Sequence, residues 1–228
     1  MSKEIVQLFE AGGGEFFTPP SVFMSKLQAI RAVLFDWDGV FNEGFKQGAE
    51  GSLFSEVDAM GTNLLRFSFW QKHGKQLVSG VITGEENPPA QFLARREHFH
   101  VIYFQSKNKA RIFEQFCKAF SLRPEEVLFF YDDVLDLEVA RQCGARIMIN
   151  HKAAPLLAEF AKTHGMVDYL TGASGGDHGL REGCELVMGL LGQYDAALRE
   201  RMTFSPDYQR YLEERQQIET RAESGNGS

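Results

Sequence analysis

Arg31-Ala-Val-Leu-Phe-Asp36-Trp-Asp38-Gly39-Val-Phe-Asn42 is the stretch on which the reading of this chain turns. Ala32 to Phe35 is a short continuous apolar run, the pattern of a strand covered on both faces in a parallel sheet. It stops at two carboxylates one residue apart, and Gly39 supplies a sharp exit. Open α/β sheets hold their ligands at the carboxyl ends of their strands, so Asp36 stands where chemistry is expected. Residues i and i+2 of a strand share a face, and two acids that close repel unless a cation or proton intervenes. A divalent metal is the natural resolution.

Working outward, the same strand-then-polar pattern recurs. Gln76 to Thr83 reads as a strand ending before Gly84, Val101 to Phe104 as another, and Val127 to Tyr131 as one that stops at Asp132-Asp133-Val-Leu-Asp136. Arg146 to Asn150 and a brief Val167 to Leu170 follow. Between them lie helical stretches over about 58–73, from Asn87-Pro88-Pro89 to about Phe99, 107–120, up to Cys143, 153–163 and from Gly179. This alternation predicts a doubly wound, mostly parallel α/β sheet. The segment 40–57, with glycines at 44, 48 and 51, reads as a β-hairpin insert. Residues 1–29 read as an arm and lead-in helix, 30–192 as the main domain, and 193–228 as a helical tail that frays after Ala222.

Composition sets limits on function. The 228 residues suffice for one α/β domain, and the net charge of -7, with no Lys/Arg block, argues against nucleic acid or an anionic membrane as partner. No apolar run approaches the roughly 18 residues of a membrane span, and no basic-then-apolar leader pattern opens the chain, so a cytoplasmic protein is expected. Cys117, Cys143 and Cys184 show no metal-type spacing and read as reduced thiols. His98 and His100 read as alternating residues at a strand entrance, and Asp133 as a helix cap. The 20 phenylalanines predict bulky packing or an aromatic subunit interface.

The polar clusters suggest phosphoryl transfer. A carboxylate nucleophile can form an aspartyl phosphate, splitting one difficult hydrolysis into two transfers. Mg²⁺ suits oxygen ligands and leaves positions for phosphate oxygens. Thr83 is the candidate hydroxyl donor and Lys109 the candidate ammonium, with Lys107 as its competitor.

Taken in order, Asp36-Trp-Asp38-Gly-Val, Thr83-Gly84, Lys109 and Asp132-Asp-Val-Leu-Asp136 resemble the haloacid dehalogenase (HAD) superfamily of aspartate-nucleophile phosphatases. Within it, Phe35 to Gly44, Asn108-Lys109 and Gly175-Gly-Asp-His-Gly-Leu-Arg181-Glu182 are similar to the 3-deoxy-D-manno-octulosonate 8-phosphate phosphatases and their nonulosonate 9-phosphate relatives. The likeness spans about residues 30–192. It implies a HAD-like Rossmannoid fold with a hairpin in place of a cap domain, packed between subunits of a homotetramer whose sites are completed by neighbours. It implies Asp36 as nucleophile and Asp38 as general acid and base. Thr83 would bind phosphate, and Lys109 would neutralise both phosphate and Asp36. Mg²⁺ would be held by Asp36, Asp132 and the Asp38 carbonyl, with Asp136 supporting this shell or Lys109. Gly84, Glu85, Arg95 or Arg96, and Arg181 are the candidate substrate contacts. Tyr131 and Trp37 depart from the family pattern and are expected to narrow the site. Glu85 stands where octulosonate phosphatases carry Arg, which favours a nine-carbon 2-keto-3-deoxy sugar acid phosphate. An octulosonate 8-phosphate or another sugar phosphate is the alternative, and a non-catalytic scaffold with a phosphatase fold is the alternative of another class.

Overall fold

A computed structural model describes residues 2–225. From the amino end the elements are α1 (Ser2–Ala11), β1 (Glu15–Phe16), α2 (Pro20–Gln28), β2 (Ala32–Phe35), α3 (Glu56–His73), β3 (Val78–Ile82), α4 (Pro88–Arg96), β4 (Val101–Phe104) and α5 (Lys109–Ala119). Then come β5 (Val127–Tyr131), α6 (Leu137–Ala140), β6 (Ala145–Asn150), α7 (Pro155–Thr163), β7 (Tyr169–Ser174), α8 (Gly179–Leu190), α9 (Tyr194–Met202), α10 (Pro206–Gln216) and β8 (Arg221–Ser224). Among the described residues the strands form one sheet in the order β1-β7-β6-β5-β2-β3-β4-β8. All neighbours are parallel except β1, which runs antiparallel to β7.

The central strands β2 and β5 lie in register, with Phe35 opposite Phe130. Because side chains alternate across a strand, Val33, Phe35, Leu128 and Phe130 enter one core with Leu27, Leu65 and Leu180 of α2, α3 and α8. Ala32, Leu34, Phe129 and Tyr131 enter the other, with Phe113 and Phe116 of α5 and Val139 of α6. Burial on both faces explains the continuous apolar runs and leaves only the strand ends free to carry polar groups. Among the described residues no helix is long and apolar enough to cross a membrane.

Two expectations are corrected. Residues 40–57 form no hairpin: a loop with one 3₁₀ turn at Gly48–Glu50 leads into α3. Gly44, Gly48 and Gly51 all adopt positive φ, and the resulting turns break the extended backbone that strands need. Among the described residues the chain does not fray directly after Ala222, because Arg221–Ser224 pairs in parallel with β4, Ala222 opposite Ile102; the last three residues, to which that expectation also extends, lie outside the described residues. The amino-terminal segment is equally anchored. The Phe17 and Thr18 amides donate to the Asp168 carbonyl. The buried Asp168 carboxylate takes Lys26 at 2.6 Å, Thr18 at 2.5 Å and the Arg146 Nε at 2.9 Å. Burial opposes that charge, but Arg146, Lys26 and Thr18 outweigh it and hold the carboxyl below its ordinary range.

Candidate active site

Parallel strands end on the same side, so β2, β3 and β5 deliver Asp36, Thr83 and Asp132 to one sheet edge. Asp36 is fastened there by its amide, which donates to the Phe130 carbonyl at 2.9 Å, and Thr83 by its amide to the Tyr103 carbonyl at 2.9 Å. Lys109 opens α5, whose cap is Asn108, the side chain accepting from the Arg111 amide at 3.1 Å. The buried Lys109 ammonium lies 2.5 Å from Asp36 and 2.7 Å from Asp136. Between the two lysine candidates the geometry is therefore clear: Lys107 is exposed on the rim and Lys109 sits among the acids.

Asp36, Asp132 and Asp136 each place a carboxylate oxygen within 4.8 Å of the others. Burial, then repulsion from Asp36 and Asp136, pushes the Asp132 carboxyl up to about 9. Burial and Asp36 push Asp136 up to about 7. Burial alone works against the Lys109 ammonium, but Asp36 and Asp136 hold it above its ordinary range. One ammonium cannot neutralise three acids, so the remainder must hold protons or face a cation. The Asp132 Oδ1 atom is buried without a hydrogen-bond partner, which is costly unless a cation answers it. Gly39, at φ +85°, permits this closeness, since a Cβ there would meet Asp132 Oδ2 at 1.9 Å. The donor set is all oxygen, as a hard divalent cation requires. The Thr83 hydroxyl is likewise buried and unpartnered, a donor available to an anionic oxygen.

Asp36, Gly39, Lys109, Asp132 and Asp136 line a cleft of about 730 Å³ whose wall also includes Asp38, Gly84, Glu85, Ser106 and His151, while Thr83 lies fully buried behind that wall. The exposed Glu85 stands at that wall. Asp38 is bonded through Oδ1 to the Ser52 hydroxyl and approached at Oδ2 by Lys46 at 3.1 Å. Asp133 caps the 3₁₀ turn after β5, accepting from the Val134 amide at 2.7 Å.

Other candidates lie elsewhere. Pro88 and Pro89 start α4, which carries Arg95 about 10 Å along the helix axis from its start; it bonds Gln91 instead. Arg96 pairs with Glu56 and Glu97. Arg181 pairs with Glu185 on α8, and its amide donates to Asp58. Neither Trp37 nor Tyr131 narrows the cleft: Trp37 stacks on Phe41 in the core, and the Tyr131 hydroxyl donates to the Met166 carbonyl. The three cysteines are free and buried. His98 and His100 bond the Ile218 carbonyl and the Ser79 amide respectively. Sequence reasoning missed Lys46, Ser52, Asn87, Ser106 and His151, because no local pattern marks a residue that reaches the site only after the chain has folded.

The fold and this arrangement of side chains together resemble those of phosphomonoesterases of the haloacid dehalogenase type. The chain's more particular likeness is to 3-deoxy-D-manno-octulosonate 8-phosphate phosphatase: the protein of that name, KdsC, from Escherichia coli K12 is 26% identical over 178 residues, spanning 76% of this chain and 87% of the relative. KdsC of Yersinia pestis is 27% identical over 163 residues, 70% of this chain and 80% of the relative. Among solved structures, the Moraxella catarrhalis phosphatase in complex with magnesium ion, phosphate ion and a KDO molecule superposes with a TM-score of 0.64 at 23% identity, covering 80% of this chain and 98% of the other. The Yersinia pestis phosphatase gives 0.63 at 22% identity, covering 76% and 89%. At these identities the structures speak to fold alone. No family model matches the chain.

Proposed function

We propose that this chain hydrolyses the phosphomonoester of a 2-keto-3-deoxy sugar acid through an aspartyl phosphate on Asp36. The observation that carries the reading is the Lys109 ammonium clasped between Asp36 and Asp136, beside an unpartnered Asp132 oxygen and an unpartnered Thr83 hydroxyl. Mg²⁺, held by Asp36, Asp132 and the Asp38 carbonyl, would supply the positive charge that lets an anionic nucleophile meet an anionic ester. Lys109 orients the Asp36 carboxylate and neutralises charge on the transferring group. Thr83 donates to a phosphate oxygen. Asp36 attacks phosphorus, the bond to the sugar oxygen breaks, and Asp38 gives that oxygen its proton. Asp38 then takes a proton from water, whose oxygen displaces Asp36 and frees inorganic phosphate.

Glu85 at the cleft wall supports a nine-carbon substrate, since a carboxylate there accepts hydrogen bonds from the hydroxyls of a longer sugar chain. The names of the curated relatives support the eight-carbon reading instead. Assay of both keto-acid phosphates with Mg²⁺ decides between them. Asp36→Asn is expected to lower phosphate release at least about a thousandfold, a loss of about 4 kcal/mol of barrier reduction; full activity in that variant removes Asp36 from the mechanism. Glu85→Arg is expected to move the kcat/KM ratio about tenfold toward the eight-carbon ester, and an unmoved ratio refutes the assignment of Glu85. The proposal includes a homotetramer, supported by Phe45 and Leu53, which stand 80% and 63% exposed on the 41–55 loop.

A further inference from the structure

Asp38 is held by a group of side chains with no part in the chemistry just described. Trp37, Ser52 and Asn87 are each fully buried. The Trp37 indole donates to the Ser52 hydroxyl at 3.1 Å and to its carbonyl at 3.2 Å. The Asn87 amide nitrogen donates to the same hydroxyl at 2.9 Å. The Ser52 amide donates to Asn87 Oδ1 at 3.1 Å, which settles which way the amide faces. A hydroxyl has two lone pairs and one hydrogen. Trp37 and Asn87 occupy both lone pairs, so the single hydrogen of Ser52 goes to Asp38 Oδ1, its remaining partner. Asn87 adds a longer contact to the same oxygen at 3.4 Å.

Backbone features serve this arrangement. Asn87 occupies the N-cap position of α4, where asparagine ordinarily accepts from its own helix. It makes no such bond, and Pro89 at the second helical position removes one of the two amide hydrogens that a cap would use. Gly51 turns at φ +79°, and a Cβ there would lie 2.2 Å from Asn87 Oδ1. Only glycine brings Ser52 this close.

We propose that Trp37, Ser52 and Asn87 are positioning residues that lock Asp38 by Oδ1, so that Oδ2, which in this structure faces the half-exposed Lys46 at 3.1 Å, is the atom turned to the oxygen of the departing sugar. The inference rests on the phosphatase reading of Asp38. It differs from a merely structural role in one measurable respect. A sugar alkoxide needs a proton as it leaves, whereas p-nitrophenolate departs without one, so misplacing the acid penalises only the first ester.

Ser52→Ala tests this, with kcat/KM measured on 3-deoxy-D-manno-octulosonate 8-phosphate, on its nine-carbon counterpart and on p-nitrophenyl phosphate, because that constant reports the first transfer alone. The alkyl esters are expected to lose roughly tenfold or more, part of the factor general acid catalysis contributes, while the aryl ester loses no more than about threefold. Trp37→Phe keeps an aromatic ring, though a smaller one, and removes one donor to Ser52, and is expected to show the same split in smaller measure if Ser52→Ala does not fold. Equal losses on both ester classes, or no loss on either, overturn the proposal. Failure of the phosphatase reading is distinct: the unmodified protein then turns over no ester, or Asp36→Asn keeps its activity.

Discussion

The conflict between burial and charge is sharpest at Asp132 and Asp136. In the unfolded chain both ionise near pH 4, but in the folded, metal-free protein they hold their protons to about 9 and about 7. The folded state therefore binds more protons across that interval, and its stability falls as pH rises from about 4 through 9. A divalent cation takes the place of those protons. The Tm of EDTA-treated protein is expected to drop from pH 6 to pH 9, with Mg²⁺ restoring more at the higher pH; a Mg²⁺ effect of equal size at both pH values contradicts this. Asp36, Asp38, Thr83, Lys109, Asp132 and Asp136 were legible because each lies within a few residues of a strand's carboxyl end or opens a helix, where position along the chain implies position in space. Ser52 and Asn87 were not, since their roles come from contacts across 35 positions of sequence. Within the chain Arg95 and Arg181 bond Gln91 and Glu185, because residue type says that a guanidinium seeks an anion or carbonyl but not which one, and a role for them at a neighbouring subunit's site belongs to the proposed tetramer.

At the scale of elements, strands covered on both faces were readable almost to the residue: Val101–Phe104 and Val127–Tyr131 have the predicted bounds. Continuous apolar runs need no neighbour to be recognised. The edge strands were opaque for the opposite reason. Arg221-Ala-Glu-Ser224 is exposed throughout and becomes a strand only because β4 offers its backbone. The glycine-rich 41–55 loop was misread because positive-φ glycines serve hairpin tips and irregular turns equally. How the amino-terminal segment is secured rests on one side chain. Asp168→Ala removes the acceptor for Thr18, Lys26 and Arg146 at once, leaving half-buried cations unpaired. A loss of about 3 kcal/mol is expected from chemical denaturation, with proteolysis appearing first within residues 12–19. A change below about 1 kcal/mol contradicts this account of Asp168.

For the whole molecule, the proposed tetramer predicts sedimentation at four chain masses, and Phe45→Ser with Leu53→Ser is expected to yield smaller species. A monomer mass for the unmodified protein removes the tetramer. The sheet itself carries a further consequence. At its two margins stand β1, only two residues long, and β8, four residues long with Arg221 and Glu223 among them. A margin that is brief, charged and exposed is a poor template for another chain. The fully apolar β4 that β8 covers would be a good one. The carboxyl segment thus acts as a selvedge, sparing a phenylalanine-rich protein the self-association its interior strands would otherwise invite.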